Sequence, residues 1–370
     1  MSAAACPECG ARIRITDRFC EECGRELAIR RSALPDLAFD PAAVCEACGA
    51  KEVDPDGYCA ACGELRRPPD RAGADLGAVH LVTDRGKVHA RNEDAVAAAV
   101  LGAPADDPFT DVAPSVGGSA PTVEAIPIVT DIAAAPSAVV ITVCDGVSTS
   151  EDPQAASGAA ARAGVDACLT ALAADRTARE AVMAGLEAAF QAVREVSVAD
   201  GHSPSCTYVT AVLRPCDSGE FEITIANVGD SRAYWLRTDG GAADPPSRRL
   251  TVDDSWAQAL VDAGVMDEAA AMRDPRAHAL VRWLGADSDH TAAETGVHSL
   301  RVRGPGVLLL CSDGLWNYLP DAADLAAIAT TAPPATAARN LVDYAIHCGG
   351  GDNITVAVAP VRVVNSGDPS

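Results

Sequence analysis

The alternation of apolar and polar positions divides the chain into an irregular N-terminal stretch and a long remainder of apolar runs and Ala-rich helical spacing. Residues 138 to 144 (AVVITVC), 207 to 214 (TYVTAVLR), 221 to 228 (FEITIANV), 232 to 237 (RAYWLR), 307 to 312 (VLLLCS) and 354 to 363 (ITVAVAPVRV) are rich in β-branched and other apolar residues and predict strands. Several are apolar at successive positions, so both of their faces must be covered. Residues 153 to 199 place apolar side chains at helical spacing without an internal proline, predicting two helices broken near Asp175 to Thr177. Further helices are expected at 254 to 264, 321 to 330 and 335 to 347. Runs of strands with paired helices fit an α+β fold in which two antiparallel sheets pack face to face under helices. The stretch 102 to 137, rich in Pro, Gly, Ala and Ser, reads as a flexible surface insertion, and residues 67 to 76 read as a linker.

Charge and composition narrow the function. The net charge of −23 opposes binding to nucleic acid or to an anionic membrane surface. No apolar run approaches the eighteen or so residues of a membrane-spanning helix, and the start MSAAACPECG lacks a signal peptide's basic and apolar regions, so a cytoplasmic location is expected. In a reducing compartment, 14 cysteines argue for metal binding or buried thiols over disulfides.

Eight of those cysteines form a repeat. Cys6, Cys9, Cys20 and Cys23 recur 39 residues later as Cys45, Cys48, Cys59 and Cys62. Each copy reads CxxC, ten residues, CxxC, with a glycine after each pair that permits a tight knuckle. Four thiolates at about 2.3 Å suit a closed, structural Zn²⁺ site, which predicts two zinc ions. A redox CxxC or an iron site is the alternative, although neither explains the duplication. The modules, expected at residues 1 to 30 and 41 to 66, resemble zinc ribbons. Residues 1 to 66 hold eight Lys or Arg against twelve Asp or Glu, so a protein partner fits them better than nucleic acid. The other six cysteines, among them Cys144 and Cys311, read as packing residues.

In the large domain, expected over 77 to 365, carboxylates fall at strand ends: Asp145 after VVITVC, Asp313 after VLLLCS and Asp352 before ITVAVAPV. Antiparallel strands can bring these ends to one rim, where a hard divalent cation would compensate them and Gly146 and Gly314 would leave backbone room. Each Asp-Gly can equally be an ordinary turn. A further acidic group, Asn92 to Asp94, opens the domain.

The ordered set GKVHARNEDA, VCDGVS, SCTYVTAV, NVGDSRAYW, LTVDDS, VRWLG, LLLCSDGLW and GGDNITV, over residues 77 to about 363, resembles the type 2C (PPM) serine/threonine protein phosphatases. The resemblance implies a four-layer α-β-β-α sandwich and hydrolysis of phosphoserine and phosphothreonine by a binuclear Mn²⁺ or Mg²⁺ centre with a bridging hydroxide. The substrates would be phosphoproteins made by a serine/threonine kinase. By position, Asp145 resembles the bridging ligand, the Gly146 carbonyl binds one ion, and Asp313 and Asp352 bind the other. Glu93 resembles the residue holding a metal-bound water, Asp230 matches a position that helps bind a third metal in some members, and Asn353 would orient Asp352.

The chain also departs from that pattern. His89 stands where the family carries a phosphate-gripping arginine, Val147, Ser148 and Thr149 follow the Asp-Gly, and Asn317 replaces a common third-metal aspartate. These changes imply a weak third metal and leave the general acid unassigned. Were residues 89 to 93 extended, His89, Arg91 and Glu93 would share one face, making Arg91 a substitute grip. The alternative to an active phosphatase is a catalytically weak binding module of the same fold that senses a phosphorylated ligand.

Overall fold

The computed structural model describes residues 4–5, 12–13, 22, 29–35, 45, 48–52, 59–63, 70–102, 136–196, 203–216, 219–237, 245–288, 291–292 and 295–361. Cys6, Cys9, Cys20, Cys23 and most of the expected 102–137 insertion therefore lie outside the described residues.

In chain order the first strands are β1 (Ala4–Ala5), β2 (Arg12–Ile13), β3 (Ile29–Leu34), β4 (Arg71–Asp75), β5 (His80–Asp84), β6 (Ala95–Leu101) and β7 (Ala138–Cys144). The helices α1 (Pro153–Ala173) and α2 (Ala178–Arg194) follow, then β8 (Ser205–Cys206), β9 (Tyr208–Pro215), β10 (Phe221–Val228), β11 (Arg232–Leu236) and β12 (Arg248–Arg249). After α3 (Trp256–Asp262) and α4 (Glu268–Ala271) come β13 (Leu284–Gly285), β14 (Val297–Val302) and β15 (Gly306–Cys311). The chain then forms α5 (Asp313–Trp316), α6 (Ala322–Ala329), α7 (Pro334–Cys348) and β16 (Ile354–Val361).

Two six-stranded antiparallel sheets make the body among the described residues, in the orders β14-β10-β9-β7-β6-β3 and β12-β11-β15-β16-β5-β4. Their inner faces share one apolar core, with Ile141, Val209 and Ile223 from one sheet meeting Leu81, Trp235 and Leu308 from the other. Helices α1 and α2 cover the outer face of the first sheet, and α6 and α7 cover that of the second. The arrangement is the expected four layers. Central strand β7 is buried at all seven positions because it has a sheet on one side and helices on the other, which is why its sequence does not alternate.

The break between α1 and α2 lies where the sequence puts it. Thr177 caps α2 by accepting from the Glu180 N–H, while the Glu180 carboxylate accepts from the Thr177 N–H, a reciprocal capping box. Small residues let the two helices close on each other and on the sheet. A Cβ on Gly185 would meet Cys168 Sγ at 2.4 Å.

The expected domain boundaries need correction at two places. Residues 71 to 75, read as linker, form β4 and pair with β5. Residues 29 to 34, at the end of the first expected zinc module, form β3 and pair with β6. Both are edge strands with solvent on one side, and edges carry charge, so IRRSAL and RAGAD lack the apolar runs that mark central strands. Arg31 Nη1 ties β3 to Asp166 of α1 at 2.8 Å, and Arg71 ties β4 to Asp84 and to Asp343 of α7 at 2.7 and 2.6 Å.

Candidate active site

Strand ends from both sheets bring carboxylates to one rim. Strand β6 begins directly after Glu93 and Asp94, β7 runs into Asp145, β11 begins two residues after Asp230, β15 ends two residues before Asp313, and β16 begins two residues after Asp352. Asp145, Gly146, Asp230, Asp313 and Asp352 line one cleft of about 600 Å³, with Val147 to Ser150 and Ser205 on one wall and His278 to Leu280, Trp283 and Asp287 on another.

Neighbouring hydroxyls and amides fix this rim. The Asp145 N–H donates to Thr207 Oγ1 at 2.9 Å, and Thr207 is itself 2.7 Å from Ser231 Oγ. Ser148 Oγ donates to Glu93 Oε2 at 2.6 Å, linking the loop after Asp145 to the acid before β6. Asn353 Oδ1 accepts from the Glu93 N–H at 2.7 Å, and its Nδ2 donates to the carbonyls of Arg85 and Arg91. Its backbone N–H donates to Asp352 Oδ1 at 2.8 Å. Asn353 thus meets Asp352 through its backbone, while its side chain secures the 85–93 loop.

The glycines have a different purpose from the one expected. A Cβ on Gly314 would meet the Asn353 carbonyl at 1.9 Å, and one on Gly146 would meet the Pro153 and Glu93 carbonyls at 2.7 and 2.8 Å. The space beside these glycines is filled by neighbouring backbone, so they serve close approach of segments and do not leave room for an ion.

Burial and mutual repulsion set the electrostatics. Burial, then the nearby Asp94, Asp313 and Asp352, push the Asp145 carboxyl well above its usual range. Asp230 is driven up by burial and by Asp313 and Asp253, against the opposing charge of Arg232. Burial and Asp352 raise Asp313 to about 6, while hydrogen bonds from Asp145 and Asn317 hold it down. Asp94, which sequence reasoning placed in an acidic group without giving it a role, is wholly buried and is pushed by burial to about 7. Its Oδ2 accepts from Ser312 Oγ at 2.7 Å, while Oδ1 has no partner, as is also true of Asp313 Oδ1. Orphaned, crowded carboxylate oxygens of this kind fit hard divalent cations with oxygen ligands.

Residues 85 to 94 form a bent loop, so the expected alternation along an extended segment does not apply. His89 Nε2 lies 3.2 Å from Asp352 Oδ1, and Arg91 Nε lies 3.2 Å from Glu93 Oε1. Neither residue lines the cleft among the described residues. The Arg91 side chain is 56% exposed and that of His89 26%, so the guanidinium is the freer of the two side chains.

Sequence reasoning also missed an aromatic buttress. Arg232 pairs with Asp253 at 2.6 Å and lies 3.5 Å from the Trp316 ring centroid, and Trp316 Nε1 donates to the Asp230 carbonyl at 2.8 Å. His278 stacks on the same indole. Burial and Arg232 lower the His278 pKa, favouring the neutral imidazole. RAYW and GLW carry no signal of this arrangement until the strands are paired.

Of the second cysteine set, Cys45 Sγ is 3.7 Å from Cys62 and Cys48 Sγ is 3.5 Å from Cys59, and all four sulfurs lie within 4.8 Å of one another. Such a cluster has the donor set and compactness of a structural zinc site.

Sheets, helices and rim together have the fold of the PPM serine/threonine phosphatases. The solved PPM Ser-Thr phosphatase MsPP of Mycobacterium smegmatis aligns with a TM-score of 0.54 and 24% identity, covering 78% of this chain and 100% of that one. In sequence, the chain is 32% identical over 161 residues to serine/threonine phosphatase stp of Listeria innocua, covering 44% of this chain and 58% of that protein. It is 34% identical over 137 residues to serine/threonine protein phosphatase PstP of Mycobacterium tuberculosis, covering 37% of this chain and 24% of that protein. The chain thus spans little more than half the length of the first of these relatives. Residues 6–63 match the double zinc ribbon family. Among the described residues no helix is long and apolar enough to cross a membrane.

Proposed function

We propose that the chain is a metal-dependent protein phosphatase acting on phosphoserine and phosphothreonine, with a double zinc ribbon attached to its catalytic sandwich. The observation that carries this reading is the convergence of Asp145, Asp313 and Asp352, from strand ends of both sheets, on one half-buried rim where Asp145 and Asp313 are electrostatically unsatisfied. Asp145, the Gly146 carbonyl, Asp313 and Asp352 would hold two Mn²⁺ or Mg²⁺ ions, and Zn²⁺ would occupy the ribbons. Such a pair of cations acidifies water and neutralises charge on phosphoryl oxygens.

The chain's own residues then have distinct tasks. Glu93, fixed by Ser148 and Asn353, accepts a hydrogen bond from water at the rim. His89 steadies Asp352, and Arg91 approaches the phosphate, to which its guanidinium presents a planar fork. The serine and threonine wall at 148 to 150 and 205 supplies uncharged donors beside the leaving group. A cytoplasmic setting belongs to this reading, since thiols held by zinc persist in a reducing compartment.

Hydrolysis of a phosphothreonine peptide, dependent on Mn²⁺ and abolished by chelation, is the expected result. Asp145→Asn should lower kcat by about a hundredfold or more, the scale for removing one electrostatic stabiliser, and Asn317→Ala far less. Equal, small effects of both changes would refute the assignment, and phosphopeptide binding without turnover would favour the binding-module reading.

A further inference from the structure

One acid of the cleft stands outside the rim. Asp145, Asp230, Asp287, Asp313 and Asp352 all line the cleft, while no described Lys or Arg does. Asp287 is exposed and comes from outside the two large sheets, just after β13. Trp283, directly before the same strand, is half-buried and lines the same wall. Its indole Nε1 donates to Asp287 Oδ1 at 3.2 Å, which engages one carboxylate oxygen and fixes the ring beside the other. The adjoining basic residue, Arg282, is turned elsewhere, with Nη1 at 3.6 Å from Asp254 Oδ1 and Nη2 donating to Thr295 Oγ1 at 3.1 Å.

Local structure holds this pair in place. Strand β13 pairs with β8, with Leu284 opposite Cys206 and Gly285 opposite Ser205, and Cys206 also bridges to Gly146 at the rim. Leu284 is wholly buried in the core that α1 and α2 share with the first sheet, so Trp283 cannot swing away without drawing a buried leucine toward water. Gly285 lets the two side chains converge, because a Cβ there would meet Asp287 Oδ1 at 2.8 Å and Trp283 Cδ1 at 3.0 Å. An aromatic ring in contact with a carboxylate, on a fixed wall of an acidic cleft, has the donor-free chemistry that receives an organic cation.

We propose that Trp283 and Asp287 bind an arginine side chain near the phosphorylated residue of the substrate, so that this cleft selects phosphoproteins with basic sequence at the phosphosite. A guanidinium is planar, stays charged, stacks on an indole face and presents its N–H groups to a carboxylate at the ring's edge. A glutamate in the same place would meet Asp287 and be repelled. The net charge of −23 acts in the same sense, drawing basic segments toward the protein. This selection rests on the phosphatase reading of the rim.

The test measures kcat/KM of the full chain with Mn²⁺ on phosphothreonine peptides that carry arginine, or its uncharged isostere citrulline, at each flanking position in turn. At one such position arginine should exceed citrulline by about tenfold, the combined scale of a cation on a half-exposed ring and an exposed ion pair. The ratio is read within each protein, so a general loss of activity in a variant cancels. Asp287→Asn and Trp283→Leu should each reduce it to about threefold or less, since each removes one of the two contributions. Asp287→Glu should retain the preference, and Asp287→Lys should turn it toward glutamate. No arginine advantage in wild type, or an advantage unchanged in both Asp287→Asn and Trp283→Leu, would overturn the inference. Failure of wild type to hydrolyse any of these peptides would instead overturn the phosphatase reading.

Discussion

Asp94 and its neighbours make the metal-free protein sensitive to pH in an unusual direction. A carboxyl whose folded pKa exceeds its unfolded value binds more protons when folded, so its contribution is present at low pH and lost as pH rises through the folded pKa. For Asp313 at about 6 and Asp94 at about 7, against ordinary values of 3.8, the window runs from near pH 4 to pH 7. Chelated protein is therefore expected to lose stability across that window, and Asp94→Asn should reduce the loss by about 2 to 4 kcal/mol, measured by urea denaturation at pH 5 and pH 8. An unaltered pH dependence in Asp94→Asn would remove it from the cluster. The 89–93 loop yields a second expectation: Arg91→Ala raises KM for phosphopeptide at nearly constant kcat, whereas His89→Ala raises the Mn²⁺ concentration needed for half activity, because it frees Asp352. The reverse pattern would make His89 the phosphate ligand. Carboxylates at strand ends were legible in the sequence because apolar runs bracket them. Asp94 was not singled out, since its isolation from water comes from packing against strands over 200 residues away, as its bond to Ser312 shows.

At the level of elements, β3 and β4 change where the sandwich begins. A chain starting at Gly77 lacks both and leaves β6 and β5 as bare edges. Loss of Leu34 from the inter-sheet core, together with the Arg31 and Arg71 ties, should cost about 3 kcal/mol, or roughly 6 to 12 °C in Tm, compared with a chain starting before Ile29. Equal melting temperatures for the two would mean the edge strands are ornamental. Central strands and the helix pair were readable because burial on two faces or on one helical stripe imposes a period on the residues. Strand β6 (AVAAAVL) escaped notice, being built largely of Ala, a residue of low strand preference that suits the close packing of α1 on this sheet. Edge strands escaped for the opposite reason, since solvent on one side relaxes the pattern.

On the scale of the whole molecule, the sheet that carries Asp313 and Asp352 is assembled from distant parts of the chain. Strand β5, at residues 80 to 84, has β16, at residues 354 to 358, as its inner neighbour, and Thr83 and Thr355 share a hydrogen bond across that junction. During synthesis β5 must wait for almost the entire sandwich sequence to leave the ribosome. The cysteine set at 45 to 62 closes over fewer than twenty residues, so it can capture metal while β5 still lacks its inner neighbour. Ribosome-bound chains halted before Gly350 should hold zinc yet remain open to protease throughout residues 80 to 320, and release past Val361 should bring protection in one step. Protection gained gradually with chain length would instead show that the first sheet folds alone. The order of events gives the nascent protein a metal-bound head on a long unfolded body, in which the acidic rim comes together only when β16 enters its sheet.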